Sequence, residues 1–325
     1  MYLAKRWKLI DDKTTRFHPA QVHTGAIPRA GGASLLLAIA IPFLLFLPHT
    51  LLYFSILISS ALLVIVGLFD DKKDVHPYIR LLTNAIAAVL VIAAGIRIPF
   101  ITNPFGDGVI IPVDVVSLII SFIWIYWTMN IVGWSAGVDG QLPGVVSIAA
   151  FVLGILSLRY SIPDPSQLPV TILSFIVAGA FLGFLPWNFY PQKIMPGYGG
   201  KTLAGFLLAV LGILSYAKVG TALLVLGIPM IDAMYIVIRR ISKGKSPVWA
   251  DRNHLHHHLL DLGWSKRMIA LCYYFVSAIL GAIALSVTRA QKLFVFLLVA
   301  VAIGGFLLWV HWVLKFSKQQ DQDSG

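Results

Sequence analysis

The sequence predicts an all-α integral membrane protein, a polytopic bundle of about 10 transmembrane helices with its active-site loops on the cytoplasmic side. Three observations predict it. Of the 325 residues 58% are hydrophobic and 12% charged, against roughly 25% charged in a soluble domain, and the mean hydropathy is +0.84. Ten apolar stretches reach or approach the ~20 residues needed to cross a bilayer core. The basic residues gather on one side of those stretches, as the positive-inside rule requires.

Residues 1–32 form a basic opening segment with no apolar run that reads as a signal peptide. The spans are expected at about 33–48, 51–69, 81–98, 114–132, 144–158, 168–187, 203–217, 219–238, 268–287 and 293–314, all within one membrane domain over 33–314. The seventh and eighth are split only by Ala217-Lys218 and read as a hairpin, and a polar tail follows over 315–325. A cytoplasmic N terminus and an even number of spans put the C terminus and the loops 70–80, 131–143, 188–202 and 239–267 in the cytoplasm. Those segments hold 20 Lys and Arg, while Arg97, Arg159, Lys218, Arg289 and Lys292 are the five on the other side. The chain is therefore expected in the plasma membrane among anionic lipids, and its basic balance needs no nucleic acid.

All 14 acids are aspartates, and the chain contains no glutamate. Metalloprotease HExxH pairs, EF-hand loops and glutamate-based ferritin sites are excluded. The single cysteine, Cys272, gives neither a disulfide framework nor a thiolate zinc cluster. Ten of the acids fall on the cytoplasmic side, which the positive-inside rule does not explain. A cytoplasmic site for a cationic or metal-bridged ligand does.

Four constellations can carry chemistry. At the cytoplasmic end of the second span, Asp70-Asp71-Lys72-Lys73-Asp74 places Asp70 and Asp74 on one face if the helix continues. Such carboxylates can hold Mg²⁺ against a diphosphate or act as a base, or form a solvated helix end. The loop from Arg239-Arg240 through Asp251-Arg252-Asn253 to His254-Leu255-His256-His257-His258 is a dense donor array for phosphates or sugar hydroxyls, with zinc as the rival. Gly197-Tyr198-Gly199-Gly200-Lys201-Thr202 ends like a P-loop, but Met195 stands where its first glycine is required and no strand precedes it. An anion site with Lys201 at a helix start survives that failure. Asn130 and the Gly137–Gly140 turn carrying Asp139 form the fourth. Asp232, inside the eighth span, is either a functional acid or a helix-packing hydrogen bond.

In this order the segments resemble the polyprenyl-phosphate N-acetylhexosamine-1-phosphate transferase family, from about Lys8 to Trp264. The resemblance rests on Ile27 to Gly32; Asp70-Asp71 with Arg80 and Asn84; Asn130 with Gly137 to Gly140; Gly183-Phe184-Leu185 with Asn188, Pro191 and Lys193; and Pro229, Asp232, Arg240, Ser246-Pro247 and Asp251 to His257. The last block resembles the branch that uses simple UDP-N-acetylhexosamines. The resemblance implies transfer of N-acetylhexosamine-1-phosphate from a UDP-sugar to polyprenyl phosphate, releasing UMP, with Mg²⁺ or Mn²⁺ as cofactor and a homodimer as one open assembly. It implies catalytic roles for Asp70, Asp71 and Asp139, and nucleotide-sugar binding by Asn130, Asn188, Lys193, Lys201, Arg240, Arg252, His254, His256 and His257. A non-catalytic homologue that binds the carrier or the nucleotide-sugar is the alternative.

The sequence departs from the family pattern in three places. A first helix is expected to be missing or truncated, Ala136-Gly137 replaces Asp-Gly before Val138-Asp139-Gly140, and Tyr198 stands where the family has a metal-binding aspartate. Asp71, Asp74 and Asp139 are accordingly expected to carry the metal, with Gly199-Gly200-Lys201 supplying positive charge.

Overall fold

The computed structural model describes residues 4, 6, 7, 9–11, 25–103, 108–215, 219–246, 253–287 and 289–323. Its helices are α1 (Gly31–Phe46), α2 (Leu51–Lys73), α3 (Pro77–Ala93), α4 (Asp114–Trp134), α5 (Gln141–Ser161), α6 (Leu168–Asn188), α7 (Gly197–Leu214), α8 (Val219–Val225), α9 (Gly227–Ser242), α10 (Leu255–Asp261), α11 (Lys266–Ser286) and α12 (Arg289–Asp323). Two short antiparallel pairs accompany them, β1 (Ile10–Asp11) with β2 (Ile27–Pro28) and β3 (Ile101–Thr102) with β4 (Val109–Ile110). The architecture is an all-α polytopic membrane protein.

The number of spans is a correction. Among the described residues 7 helices are long and apolar enough to cross a membrane, or 8 if α8 and α9 count as one. The helices α1 and α3 are apolar but have 16 and 17 residues, about 24 to 26 Å at 1.5 Å per residue against a core of about 30 Å. The eighth predicted span is not straight. α8 and α9 meet at an angle of 84°, because Leu226 leaves helical geometry at φ −87 and ψ 19 and Pro229, three residues on, has no N–H to extend the α8 ladder. Helix α12 continues into the polar 315–325 segment as far as Asp323.

Helix α7 is the centre of the bundle. It is 83% buried over its apolar window, whereas that of α12 is 17% buried at the periphery. Glycines bring α7 close to its neighbours. A Cβ on Gly67 of α2 would strike the backbone of Gly199, one on Gly32 of α1 would lie 2.7 Å from the Gly200 nitrogen, and one on Gly205 would lie 2.6 Å from the Met129 Cα of α4. Association inside a bilayer gains little from apolar burial, so close backbone packing at small residues takes its place. These contacts hold the start of α7 against the end of α2. Met195 N donates to Pro28 O at 2.8 Å and Gly31 N to Met195 O at 3.0 Å, which fixes β2, and with it Arg29, beside that junction.

Candidate active site

Two clusters form around the start of α7. The first is built on the acidic end of α2. Asp70 is buried, and its Oδ1 accepts both Arg80 Nε at 2.6 Å and Val75 N at 3.1 Å. Asp71 is also buried; it accepts Tyr198 N at 3.0 and 3.2 Å on its two oxygens and pairs with Arg29 Nε at 3.1 Å. A carboxylate on the first-turn N–H of α7 also suits the positive end of that helix. Helix α2 ends at Lys73, and Asp74, at φ 53, swings out to meet Arg80 Nη2 at 2.7 Å. Arg80 therefore clamps Asp70 and Asp74 together, and its guanidinium stacks 5.4 Å from the centre of the Tyr198 ring. Tyr198 Oη donates to Asn84 Oδ1 at 3.4 Å, and the buried Asn84 Nδ2 has no hydrogen-bond partner among the described residues.

The second cluster is built on the Gly137–Gly140 turn. Asp139 is buried; its Oδ2 accepts Gln192 N at 3.3 Å and its Oδ1 meets Lys266 Nζ at 3.4 Å. His256 packs so tightly on Gly137 that a Cβ there would overlap the imidazole. His254 stacks in parallel on His256 with centroids 5.5 Å apart, and His257 lies 4.3 Å beyond. Arg239 Nη1 donates to Asn253 Oδ1 at 3.1 Å and anchors the start of the block. Lys201, in the first turns of α7, is near enough for its charge to be felt at both Asp71 and His256.

Several of the residues expected to bind the nucleotide-sugar make contacts within the protein. Asn188 is buried, accepts Gly140 N at 3.1 Å and donates to Gln192 Oε1 and Ile194 O at 3.0 and 2.9 Å, and so braces two loops. Asn130 turns back onto its own helix, donating to Tyr126 O at 2.7 Å. Lys193 lies over the Trp187 ring at 5.6 Å, and Arg240 is buried in the last turn of α9. Asp251 and Arg252 lie outside the described residues. Asp71, Asp74 and Asp139, the residues expected to carry the metal, each pair with a different cation in this structure: Arg29, Arg80 and Lys266. Among the described residues no three His, Cys or Asp side chains converge as a metal-holding group. Arg29, Arg80 and Lys266 were not assigned to the site from sequence. Arg29 and Arg80 lie in segments that carry the family resemblance, whereas nothing local to Lys266 signals its partner.

Burial, followed by the like charges of His257, His254, Lys201 and His258, holds the His256 pKa well below the ordinary histidine value, and burial lowers that of His258. Below about pH 6.5 these rings take up protons in the unfolded chain before they do so in the folded one. Stability is therefore complete above that pH and is lost as pH falls toward the folded value, by up to about 1.4 kcal/mol per pH unit for one group. The melting temperature in detergent is expected to be lower at pH 5.5 than at pH 7.5, and His256→Asn to flatten the difference. A wild-type profile without that slope contradicts the assignment.

Residues 53–216 match the family described as glycosyl transferase family 4. Named relatives cover most of the chain. The undecaprenyl-phosphate alpha-N-acetylglucosaminyl 1-phosphate transferase of Haemophilus influenzae is 31% identical over 81% of this chain and 76% of its own length. The protein of the same name from Pasteurella multocida is 31% identical over 87% of this chain and 80% of its own. The decaprenyl-phosphate N-acetylglucosaminephosphotransferase of Mycobacterium leprae is 30% identical over 78% and 71%. The matched region takes in Asp70, Asp71, the Asp139 turn and the whole of α7, so the clusters built around that helix and the likeness to known proteins lead to one conclusion: the chain belongs to glycosyl transferase family 4.

Proposed function

We propose that the protein transfers N-acetylglucosamine-1-phosphate from UDP-N-acetylglucosamine to a polyprenyl phosphate, undecaprenyl phosphate in the first instance, at the cytoplasmic face of the plasma membrane. An oxygen of the carrier phosphate attacks the β-phosphorus of the UDP-sugar. The bond from that phosphorus to the bridging oxygen breaks, and UMP leaves with the oxygen. Both reactants are anions, so neutralisation by fixed cations is the dominant requirement. The observation that carries the reading is the pairing of an acid-and-arginine cluster, Asp70 and Asp71 with Arg80 and Arg29, with a stacked histidine block. The printed activities of the relatives support the same substrates.

In this reading Arg29, Arg80 and Lys201 supply positive charge to the phosphates. Asp70 activates the carrier, Asp71 orients the start of α7, and Asp139 holds Lys266 by the loop that faces the histidines. The residues also fit a divalent ion carried with the substrate. Magnesium is held by one or two carboxylates plus substrate phosphates, without a closed protein cage, and among the described residues Asp70 makes its hydrogen bonds through Oδ1, so that Oδ2 would be the ligand oxygen. Magnesium, or manganese in its place, would neutralise charge on the diphosphate. Asp74 and Asp139 are not in this ligand set.

The test is UMP release by purified protein given undecaprenyl phosphate, Mg²⁺ and a panel of UDP-sugars. UDP-N-acetylglucosamine is expected to give UMP and a carrier-linked sugar. Release from no UDP-N-acetylhexosamine under any divalent metal overturns the reading.

A further inference from the structure

Asp232 stands in α9, three residues beyond Pro229 and the break between α8 and α9, and is 1% exposed. An acid in an apolar helix of a membrane protein is expensive unless its oxygens are engaged. Here both are: Oδ2 lies 2.9 Å from His254 Nδ1, and Oδ1 accepts Leu255 N at 2.9 Å. Two donors on consecutive residues thus converge on one carboxylate. An amide of the same shape would present a donor to one of them, so this geometry calls for a carboxylate where a simple packing hydrogen bond would not.

With the carboxylate as the acceptor of both donors, the hydrogen of His254 lies on Nδ1 and Nε2 turns the other way. His254 makes no hydrogen bond through Nε2 among the described residues, and its side chain keeps 10% of its surface. The parallel stack of His254 on His256, and the packing of His256 on Gly137, then carry this orientation to the turn that bears Asp139.

We propose that Asp232 is a positioning residue of the nucleotide-sugar site, fixing His254 as the Nδ1–H tautomer with Nε2 open to the UDP-sugar. The proposal rests on the transferase reading above, since it takes the histidine block to be the part that receives the UDP-sugar. The same logic, an acid that sets the tautomer of a working imidazole, governs histidines in hydrolytic triads and metal sites.

The experiment compares the full-length wild type with Asp232→Asn, His254→Ala and the double variant in detergent or nanodiscs. It measures kcat and KM for UDP-N-acetylglucosamine and the ¹⁵N shifts of His254. In Asp232→Asn the amide NH₂ faces Nδ1, so His254 is expected to switch to the Nε2–H tautomer and kcat/KM to fall by about 10²-fold. His254→Ala is expected to lose a similar factor, and the double variant no more than the worse single one, because both changes remove one function. An Asp232→Asn penalty undiminished in the His254→Ala background would mark a purely structural role and overturn the proposal. So would retention of the Nδ1–H tautomer with kcat/KM within twofold of wild type. Asp232→Glu keeps both acceptors and decides the matter if the asparagine variant does not fold: the Nδ1–H signal with kcat/KM within about tenfold of wild type supports the proposal, and loss of that signal with activity intact sinks it. If the wild type itself releases no UMP, the transferase reading fails, and the ¹⁵N tautomer with its response to added UDP-N-acetylglucosamine still judges this one.

Discussion

Replacing Asp70 with asparagine abolishes UMP release, a loss of at least about 10³-fold, while the protein still folds. Asparagine keeps the shape of the side chain, and its oxygen can still accept from Val75 N. Two things go. The Arg80 guanidinium, held at 2.6 Å by Asp70 Oδ1, loses the buried one of its two anionic partners, and Oδ2 becomes an NH₂ that can neither activate a phosphate nor ligate a divalent ion. Asp74→Asn is the internal comparison. Asp74 pairs with the same arginine at 2.7 Å, but its side chain is 60% exposed, and exposed ion pairs contribute about 0–1 kcal/mol. Its activity is expected to stay within about tenfold of wild type. Steady-state UMP release and the melting temperature of each variant test this. The role given to Asp70 does not survive if Asp70→Asn keeps a tenth of its activity, or if both variants fall equally.

The second large effect is expected at Gly197. This residue has φ +69, and a Cβ on it would overlap both the carboxylate of Asp71 and the carbonyl of Arg29. Gly197→Ala therefore combines a left-handed backbone cost of about 1–2 kcal/mol with an overpacking cost of about 1–3 kcal/mol. The clash pushes apart Asp71, Arg29 and the first turn of α7 at the point where they meet. The variant should melt several degrees below wild type in detergent and lose most of its transferase activity. Gly95→Ala serves as a control for backbone strain alone, because Gly95 has φ +104 with nothing within 4 Å of an added Cβ. It should lose stability without a comparable loss of turnover. Equal turnover in the two variants would show that the packing at Gly197 does not shape the site.

Much of this architecture is legible in the chain because long apolar runs leave few choices. The run 219–238 is where that logic fails. It is long enough for a straight span, yet its hydropathy does not register the break at Leu226, which depends on backbone geometry and on Pro229 just beyond. The short helices α1 and α3 mislead in the same way, since apolar character is visible and the final length is not. At the site, scarcity of acids made Asp70, Asp71 and Asp139 stand out. Their pairings were not visible, because Arg29 with Asp71, Lys266 with Asp139 and His254 with Asp232 are joined by tertiary closure, and no sequence spacing encodes them. The cation that each of Asp71, Asp74 and Asp139 meets in the folded chain is likewise invisible in the sequence. Tyr198 reads in sequence as a lost ligand. In the fold its N–H caps Asp71, its ring supports Arg80 and its hydroxyl reaches Asn84.

The glycine contacts of α7 divide the molecule mechanically. Where Gly67 meets Gly199 and Gly32 meets Gly200, backbone lies on backbone with no side chain between, so there is no compliant layer along which α1, α2 and α7 can slide. The half of the site built on Asp70 and Asp71 thus behaves as an anvil, fixed before either substrate arrives. The histidine half is hung differently, from a helix that has already parted from its predecessor at 84°, and through side chains: the Asp232 carboxylate, the Arg239–Asn253 bond and the His256 ring on Gly137. If the two halves divide the substrates as proposed, adjustment to the shape of the sugar falls to that half, whose contacts run through side chains that can turn.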